Sequence, residues 1–259
     1  MKYFIALLLV FISSATPAQQ AYWQQRVNFK IDVTLNDIEH TLDGFERIEY
    51  INHSPDTLTF IWFHVWPNAF RTDKTAFSDQ LLENGRTDFY FSDKNDRGYI
   101  NRLDFRVNAV LAKTEDHPQH IDIIKILLPQ PLAPGASIEI TTPFHVQLPK
   151  NFSRGGHSGQ SYQITQWYPK PAVYDQKGWH PMPYLDQGEF YSEFGSYEVK
   201  ITVPKTYVVL SSGDLQNEEE KKWLKERAVS YKPPVTQKKL TAAKTKKPVK
   251  LSALPKQKE

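Results

Sequence analysis

The residues able to bind a metal or move a proton are few, and their spacing decides most of what they can do. Eight histidines stand at His40, His53, His64, His117, His120, His145, His157 and His180. The His-Glu-x-x-His zinc motif needs two His four apart, so that both rings share one helical face, with a Glu base between them. None of the eight is followed by Glu, and no pair is four apart. His117 and His120 are three apart, but Pro118 lies between them in a loop-like segment. That spacing reads as a solvated pair. The chain has no cysteine. Thiolate metal sites, disulfides, a Cys nucleophile and a lipid-modified N-terminal Cys are therefore excluded. No metal ligand set and no catalytic residue is expected.

Other clusters read the same way. Gly156-His157-Ser158-Gly159-Gln160 begins like a nucleophile elbow, but the pattern requires Gly where Gln160 stands. Asp175 has no reason to join it. The run from Gly155 to Gln160 is expected to be a flexible loop, with Gly supplying backbone freedom. Asp186, Glu189 and Glu193 are acidic residues near aromatics. Paired carboxylates can do acid–base work, but charges around a turn are ordinarily solvated. Asn52-His53-Ser54 and Asn151-Phe152-Ser153 fit glycosylation acceptors by pattern alone.

The elements that would hold these residues are mostly strands. Val27–Leu35 alternates Val27, Phe29, Ile31, Val33 and Leu35 with polar residues, the period of a half-buried strand. Asn36-Asp37 turns the chain into a second strand, His40–Asn52, where Gly44 marks a bulge or a close approach. Thr57–Trp66, Tyr99–Leu111, Ile121–Leu128, Ser137–Leu148 and Ser196–Val203 read as further strands. Pro129, Pro131, Pro134 and Gly135 separate two of them. Thr75–Asn84 is the one short helix, ended by Asn84-Gly85. Arg86–Gly98 is polar and loop-like. Many short strands with turns between them give an all-β fold, a curved saddle-like antiparallel sheet or sandwich.

The ends differ from this body. Residues 1–18 carry Lys2, an apolar run Tyr3–Ile12 and then small residues, the layout of a secretory signal peptide. Export to the periplasm, envelope or exterior is expected. Residues 216–230 form a charged helix-like segment with Trp223. From Tyr231 to Glu259 there are nine Lys and one acidic residue. This Lys- and Pro-rich stretch is expected to be a disordered tail or a linker. It holds more than the whole net charge of +3, so the body is net acidic and no nucleic-acid partner is expected.

Between Tyr162 and Pro204 the chain concentrates Tyr162, Trp167, Tyr168, Tyr174, Trp179, Tyr184, Phe190, Tyr191, Phe194 and Tyr197. Rings at this density call for burial. Pro169, Pro171, Pro181 and Pro183 rule out a long helix. Trp167, Tyr168, Tyr174, Trp179, Phe190 and Tyr191 are expected to form a structural aromatic platform. Here Gln166-Trp167-Tyr168-Pro169-Lys170-Pro171-Ala172-Val173-Tyr174-Asp175, Gly178-Trp179 and Gly188-Glu189-Phe190-Tyr191 resemble the N-terminal domain of aminopeptidase N-like zinc metallopeptidases, the gluzincins, of bacterial secreted or envelope type. The resemblance covers residues 22–215. It implies a non-catalytic β domain that packs on a catalytic domain and walls its cleft. Zinc, the peptide substrate and the catalytic domain as partner follow from the resemblance. The family's Gly-x-Met-Glu-Asn motif is missing, since the methionines are Met1 and Met182. In the family a Gln or Glu of this domain helps hold the substrate's amino terminus. Gln163 and Gln166 are the two residues that could correspond, and both are also ordinary strand residues. No peptidase activity is expected of this chain alone. The competing reading is a stand-alone envelope module that binds peptide or carbohydrate on its rings.

Overall fold

The computed structural model of the chain describes residues 22–231. The expected signal peptide and all of the expected tail beyond Tyr231 lie outside the described residues. Described residues up to Tyr207 form one compact unit, and those from Val208 form a second.

In the first unit, β1 (Arg26–Asn36) and β2 (Thr41–Ile51) make a hairpin in unbroken register, from Arg26 opposite Ile51 to Asn36 opposite Thr41. β3 (Leu58–His64) runs into a 3-10 turn, Trp66–Phe70, and then helix α1 (Ala76–Glu83). Thr75 caps α1 by accepting the Ser78 N–H at 3.3 Å, which satisfies one of the free donors of the first turn. Five strands follow: β4 (Tyr99–Asn101), β5 (Arg106–Val107), β6 (Val110–Leu111), β7 (Lys113–Asp116) and β8 (Ile123–Leu132). After β9 (Ser137–Gln147) come short pieces: β10 (Gly156–Ser158), β11 (Ser161–Gln163), β12 (Lys170–Pro171), β13 (Val173–Asp175) and β14 (Gly178–His180). The last strand is β15 (Tyr197–Thr202). The second unit contains helix α2 (Glu218–Ser230), capped by Asn217.

The larger sheet has the order β15-β1-β2-β9-β5-β6, with β4 also on β9. The smaller has the order β12-β3-β8-β7. Ile48, Tyr50 and Ile140 of the first sheet share one core with Ile61, Phe63 and Ile126 of the second. This is an all-β sandwich with one short helix in its body, and the alternation seen in the sequence is what turns one face of each sheet inward. A second cluster gathers Trp66, Phe70, Phe77, Phe89 and Tyr184 under α1.

Several expectations need correction. Tyr99–Leu111 is three strands, because Arg102, Asn108 and Ala109 have positive φ. Asn108 and Ala109 form the two-residue turn between Val107 and Val110, a geometry that demands positive φ at both positions. Pro129 and Pro131 do not end a strand. They lie inside β8, where the register jumps between Leu58–Leu132 and Phe60–Leu127, so no ladder bond needs their missing N–H. The Gly155–Gln160 run is not a loose loop, since β10 and β11 pair as a hairpin from Gly156–Gln163 to Ser158–Ser161. Gly44 is a close approach rather than a bulge. Its pairing with Val33 and Phe144 is continuous, and an added Cβ would stand 2.2 Å from the Phe144 ring.

Candidate functional site

The segment from Tyr162 to Glu193 crosses from one sheet to the other, and its residues are held by both. Gln166 has φ 54°, a left-handed backbone that costs a non-glycine residue about 1 kcal/mol or more. Its Oε1 accepts a hydrogen bond from Lys170 Nζ. Lys170 is buried on β12, with Nζ 4.3 Å from the centre of the Trp66 ring and 5.8 Å from that of Tyr168. Burial pulls the Lys170 amine down to about 7. Behind it His64 stacks on Trp66 at 4.3 Å and accepts the Met182 N–H at Nε2, 3.1 Å away. That acceptor role leaves the proton on Nδ1 in the neutral ring. Burial, and then the Lys170 charge, lower His64 to about 3. Gln166 also borders a narrow crevice with Thr165, Trp167, Pro67, Phe70 and Tyr184.

Gln163 is elsewhere. It sits exposed on β11 at the hairpin β10–β11. The two Gln that the sequence left open therefore differ: Gln166 is fixed by a buried amine, and Gln163 faces water.

The aromatic residues do not form one platform. Trp167 packs on Phe144 at 5.9 Å and on Tyr168 at 5.1 Å, and Tyr168 meets Phe29 of the larger sheet at 5.5 Å. Burial, and then neighbouring Tyr197, raise the Tyr168 phenol. Tyr174 and Trp179 pair across β13 and β14 at 4.8 Å, and Trp179 lies 5.8 Å from Phe60 of the smaller sheet. Phe190 joins the other cluster, 4.6 Å from Trp66 and 5.0 Å from the Arg154 guanidinium. Tyr191 is exposed and donates to Asp175 at 3.2 Å.

Asp175 is occupied by its own hairpin. It accepts from the Lys177 N–H at 2.8 Å and bonds His180 Nε2 at 2.8 Å. Burial works to raise its carboxyl, but these bonds and the one from Tyr191 outweigh it and hold Asp175 below its ordinary value. The acidic trio is likewise dispersed over different partners. Asp186 accepts from Ser153 at 2.6 Å and stands 3.5 Å from Arg86, while Glu189 is exposed. Glu193 is buried and accepts the Tyr174 N–H at 3.0 Å, and its second oxygen has no partner. Burial raises it to about 7. Glu193 and Lys170 line one small cleft with Val27, Phe29 and Tyr197, yet no ion pair joins them.

His117 and His120 stack at 5.0 Å. His117 Nδ1 accepts the N–H groups of Gln119 and His120, both at 3.2 Å, so the pair builds a turn and spends its lone pair there. Among the described residues no three His, Asp or Glu side chains gather as a metal site. Asn52 is fully buried. Its side chain donates to the carbonyls of Asp56, Leu132 and Ala133 and accepts from Gln25 and Ser54. A glycan cannot attach to that amide in the folded chain. Asn151 is exposed.

Sequence reading missed Lys170, His64 and Glu46. Glu46 is wholly buried on β2 with both carboxylate oxygens unpartnered, and burial raises it well above the usual range. The signal was present: Glu46 is in phase with Leu42, Ile48 and Tyr50 on the inward side of the strand. His64 follows the buried Phe63 at a strand end, where the pattern gives no such warning.

No family model matches the chain, and no curated protein matches it. Its fold is similar to that of parts of solved M1 zinc metallopeptidases. The M1 zinc metallopeptidase of Deinococcus radiodurans is 14% identical, over 70% of this chain and 33% of that one, with a TM-score of 0.38. A mutant of that enzyme bound to a Tyr-Ser-Ala substrate is 14% identical over 77% and 36%, with a TM-score of 0.41. A two-domain M1 zinc metallopeptidase mutant bound to L-arginine is 12% identical over 71% and 33%, with a TM-score of 0.38. The chain spans about a third of the length of each.

Proposed function

We propose that this chain is the non-catalytic N-terminal domain of a secreted aminopeptidase N-like zinc metallopeptidase, packing on a catalytic domain and walling its peptide cleft. The observation that supports this is Gln166. It stands in the sequence block that resembles the family, in a left-handed backbone, with its side chain held by Lys170 at the edge of a crevice. An amide oxygen has two lone pairs. One serves Lys170, and the other is available to a substrate's terminal ammonium. Burial lowers the Lys170 amine to about 7, so near neutrality it carries less charge than an ordinary lysine and repels that cation less. In this reading zinc and its ligands belong to the catalytic domain, where the ion would polarise the attacking water. The chain's own sequence has no His-Glu-x-x-His.

A second reading is favoured by a different observation. Trp23, Tyr174, Trp179, Phe60 and Trp62 form a run of half-buried rings with successive centroids 5.6, 4.8, 5.8 and 6.2 Å apart. Such a strip suits a stand-alone envelope module binding peptide or carbohydrate.

One experiment separates the two. The DNA beyond codon 259 is read in all three frames, and any frame encoding His-Glu-x-x-His is expressed with this chain. Under the first reading, hydrolysis of an aminoacyl anilide needs both parts, and Gln166→Ala raises KM more than it lowers kcat. Lack of such a frame, together with saturable sugar or peptide binding by this chain alone, would establish the module instead.

A further inference from the structure

Among the described residues β15 is the end of the larger sheet, with no strand paired on its outer side. It pairs with β1 in parallel, Tyr197 beside Phe29, Val199 beside Ile31 and Ile201 beside Val33. Partners in register point to the same face. Phe29, Ile31 and Val33 are 3%, 2% and 6% exposed, but Tyr197, Val199 and Ile201 are 49%, 40% and 41% exposed. The inner apolar layer thus runs out under β15 and leaves a three-residue apolar row at an open edge.

The backbone has the same sidedness. The N–H groups of Val27 and Phe29 donate to the carbonyls of Phe194 and Ser196, at 3.0 and 2.8 Å. By strand alternation Glu198, Lys200 and Thr202 turn their peptide groups toward β1. Tyr197, Val199 and Ile201 turn theirs toward the free edge. An unpaired edge of this kind is a template for another strand, and natural edges are usually blunted by Pro, a bulge or inward charge. Within Tyr197–Thr202 there is neither Pro nor an inward charge.

We infer that the partner of this edge is a second copy of the same chain, joined by antiparallel β15–β15 pairing about a two-fold axis at Val199. The register selects the occupant. With Val199 opposite Val199 of the second copy, Tyr197 falls opposite Ile201, and the exposed apolar row meets itself. The same register sets Glu198 opposite Lys200 of the second copy, twice. The outer face already alternates in sign, with Lys30 on Glu198 at 3.1 Å and Asp32 beside Lys200 at 3.8 Å. Across the axis one row continues as Lys30, Glu198, Lys200 and Asp32, positive and negative in turn. The peptide groups that face the edge are those of Tyr197, Val199 and Ile201, the residues this register joins by hydrogen bonds. Apolar row, charges and backbone all close in one register. A six-residue strand buries less than the roughly 1,200–2,000 Å² of a stable interface, so the dimer is weak and concentration-dependent. It goes beyond the function proposed above and does not rest on it.

The test is sedimentation equilibrium of the full chain between about 10 μM and about 1 mM, the range in which so small an interface associates. Wild type is expected to shift from monomer to dimer. Val199→Pro removes the donor on the axis without removing a bond to β1, because that N–H faces the edge. It should remain folded by circular dichroism and stay monomeric. Glu198→Lys and Lys200→Glu each set like charges opposite, and each should weaken self-association about tenfold. An equimolar mixture of these two variants restores opposite charges and should dimerise again. A wild-type chain that stays monomeric throughout overturns the inference. So does a dimer indifferent to Val199→Pro, or two charge variants that fail to rescue each other. A chain that dimerises only after residues 232–259 are removed would assign the edge to that segment and equally overturn it.

Discussion

Two buried ionisable groups on the 162–193 segment put measurable pH dependence into single side chains. Glu193 has its carboxyl raised to about 7 by burial. Between about 4.5 and 7 the folded chain therefore keeps a proton there that the unfolded chain has lost, and stability contributed below 4.5 is lost as pH rises through 7. Glu193→Gln keeps the acceptor for the Tyr174 N–H and cannot ionise. The variant should match wild type at pH 5 and exceed it at pH 8 by about 1–3 kcal/mol, the lower end allowing for solvent screening. Urea midpoints at the two pH values measure this, and an equal difference at both would contradict it. Lys170 works in the opposite direction. Its amine is lowered to about 7 by burial, so the unfolded chain holds the extra proton between about 7 and 10.5, and stability is lost as pH falls through that window. Lys170→Met should gain on wild type as pH drops from 10 to 7 and hold a constant difference below 7. A difference that is flat from pH 10 to 7 would show that the Lys170 amine titrates normally.

At the level of elements, the strands whose inward faces are purely apolar were readable from sequence, because alternation and burial are there the same fact. Val27 to Leu35 alternates and is buried in that phase. Thr75, with Phe77 and Leu81, gave α1 its start and its buried side in the same way. Pieces set by backbone geometry were not readable. β5 and β6 are two residues each and depend on Asn108 and Ala109 taking positive φ, to which no periodicity points. Ala109 has φ 66°, where glycine carries no penalty. Ala109→Gly should raise stability by about 0.5–1 kcal/mol, net of glycine's larger unfolded-state entropy. A loss of stability would show that the turn relaxes without strain. Gly44 is the reverse case, with the Phe144 ring lying against its Cα. Gly44→Ala should cost about 1–3 kcal/mol through overpacking, and Phe144→Leu in the same chain should recover part of that. Additive costs in the double variant would deny the contact. The candidate site was legible only in part for the same reason. Gln166 was named from its neighbours, but what distinguishes it from Gln163 is a left-handed backbone and the burial of Lys170 four residues on, and no periodicity marks either.

For the whole first unit, the 162–193 segment is a strap between two sheets. Trp167 is anchored on Phe144 of the larger sheet, and Trp179 on Phe60 of the smaller. Both rings are half-buried, so each contributes by packing rather than by full removal from water. A large aromatic offers about 150–250 Å². Half of that at about 25 cal/mol per Å² is about 2–3 kcal/mol, an upper estimate. Trp167→Ala and Trp179→Ala should each lower the denaturant midpoint by an amount near that size. Because the two rings rest on different sheets and share no packing partner among their ring contacts, the double variant should show nearly the sum, within about 0.5 kcal/mol. That additivity distinguishes a strap from a ligand platform. Were Trp179 and its neighbours kept for binding a sugar or peptide, Trp179→Ala would leave the midpoint in place and abolish ligand retention, while Trp167→Ala alone would unfold the chain sooner. Equal and additive losses, measured by urea unfolding at one pH, mark both rings as the ties that hold the two sheets to the crossing segment.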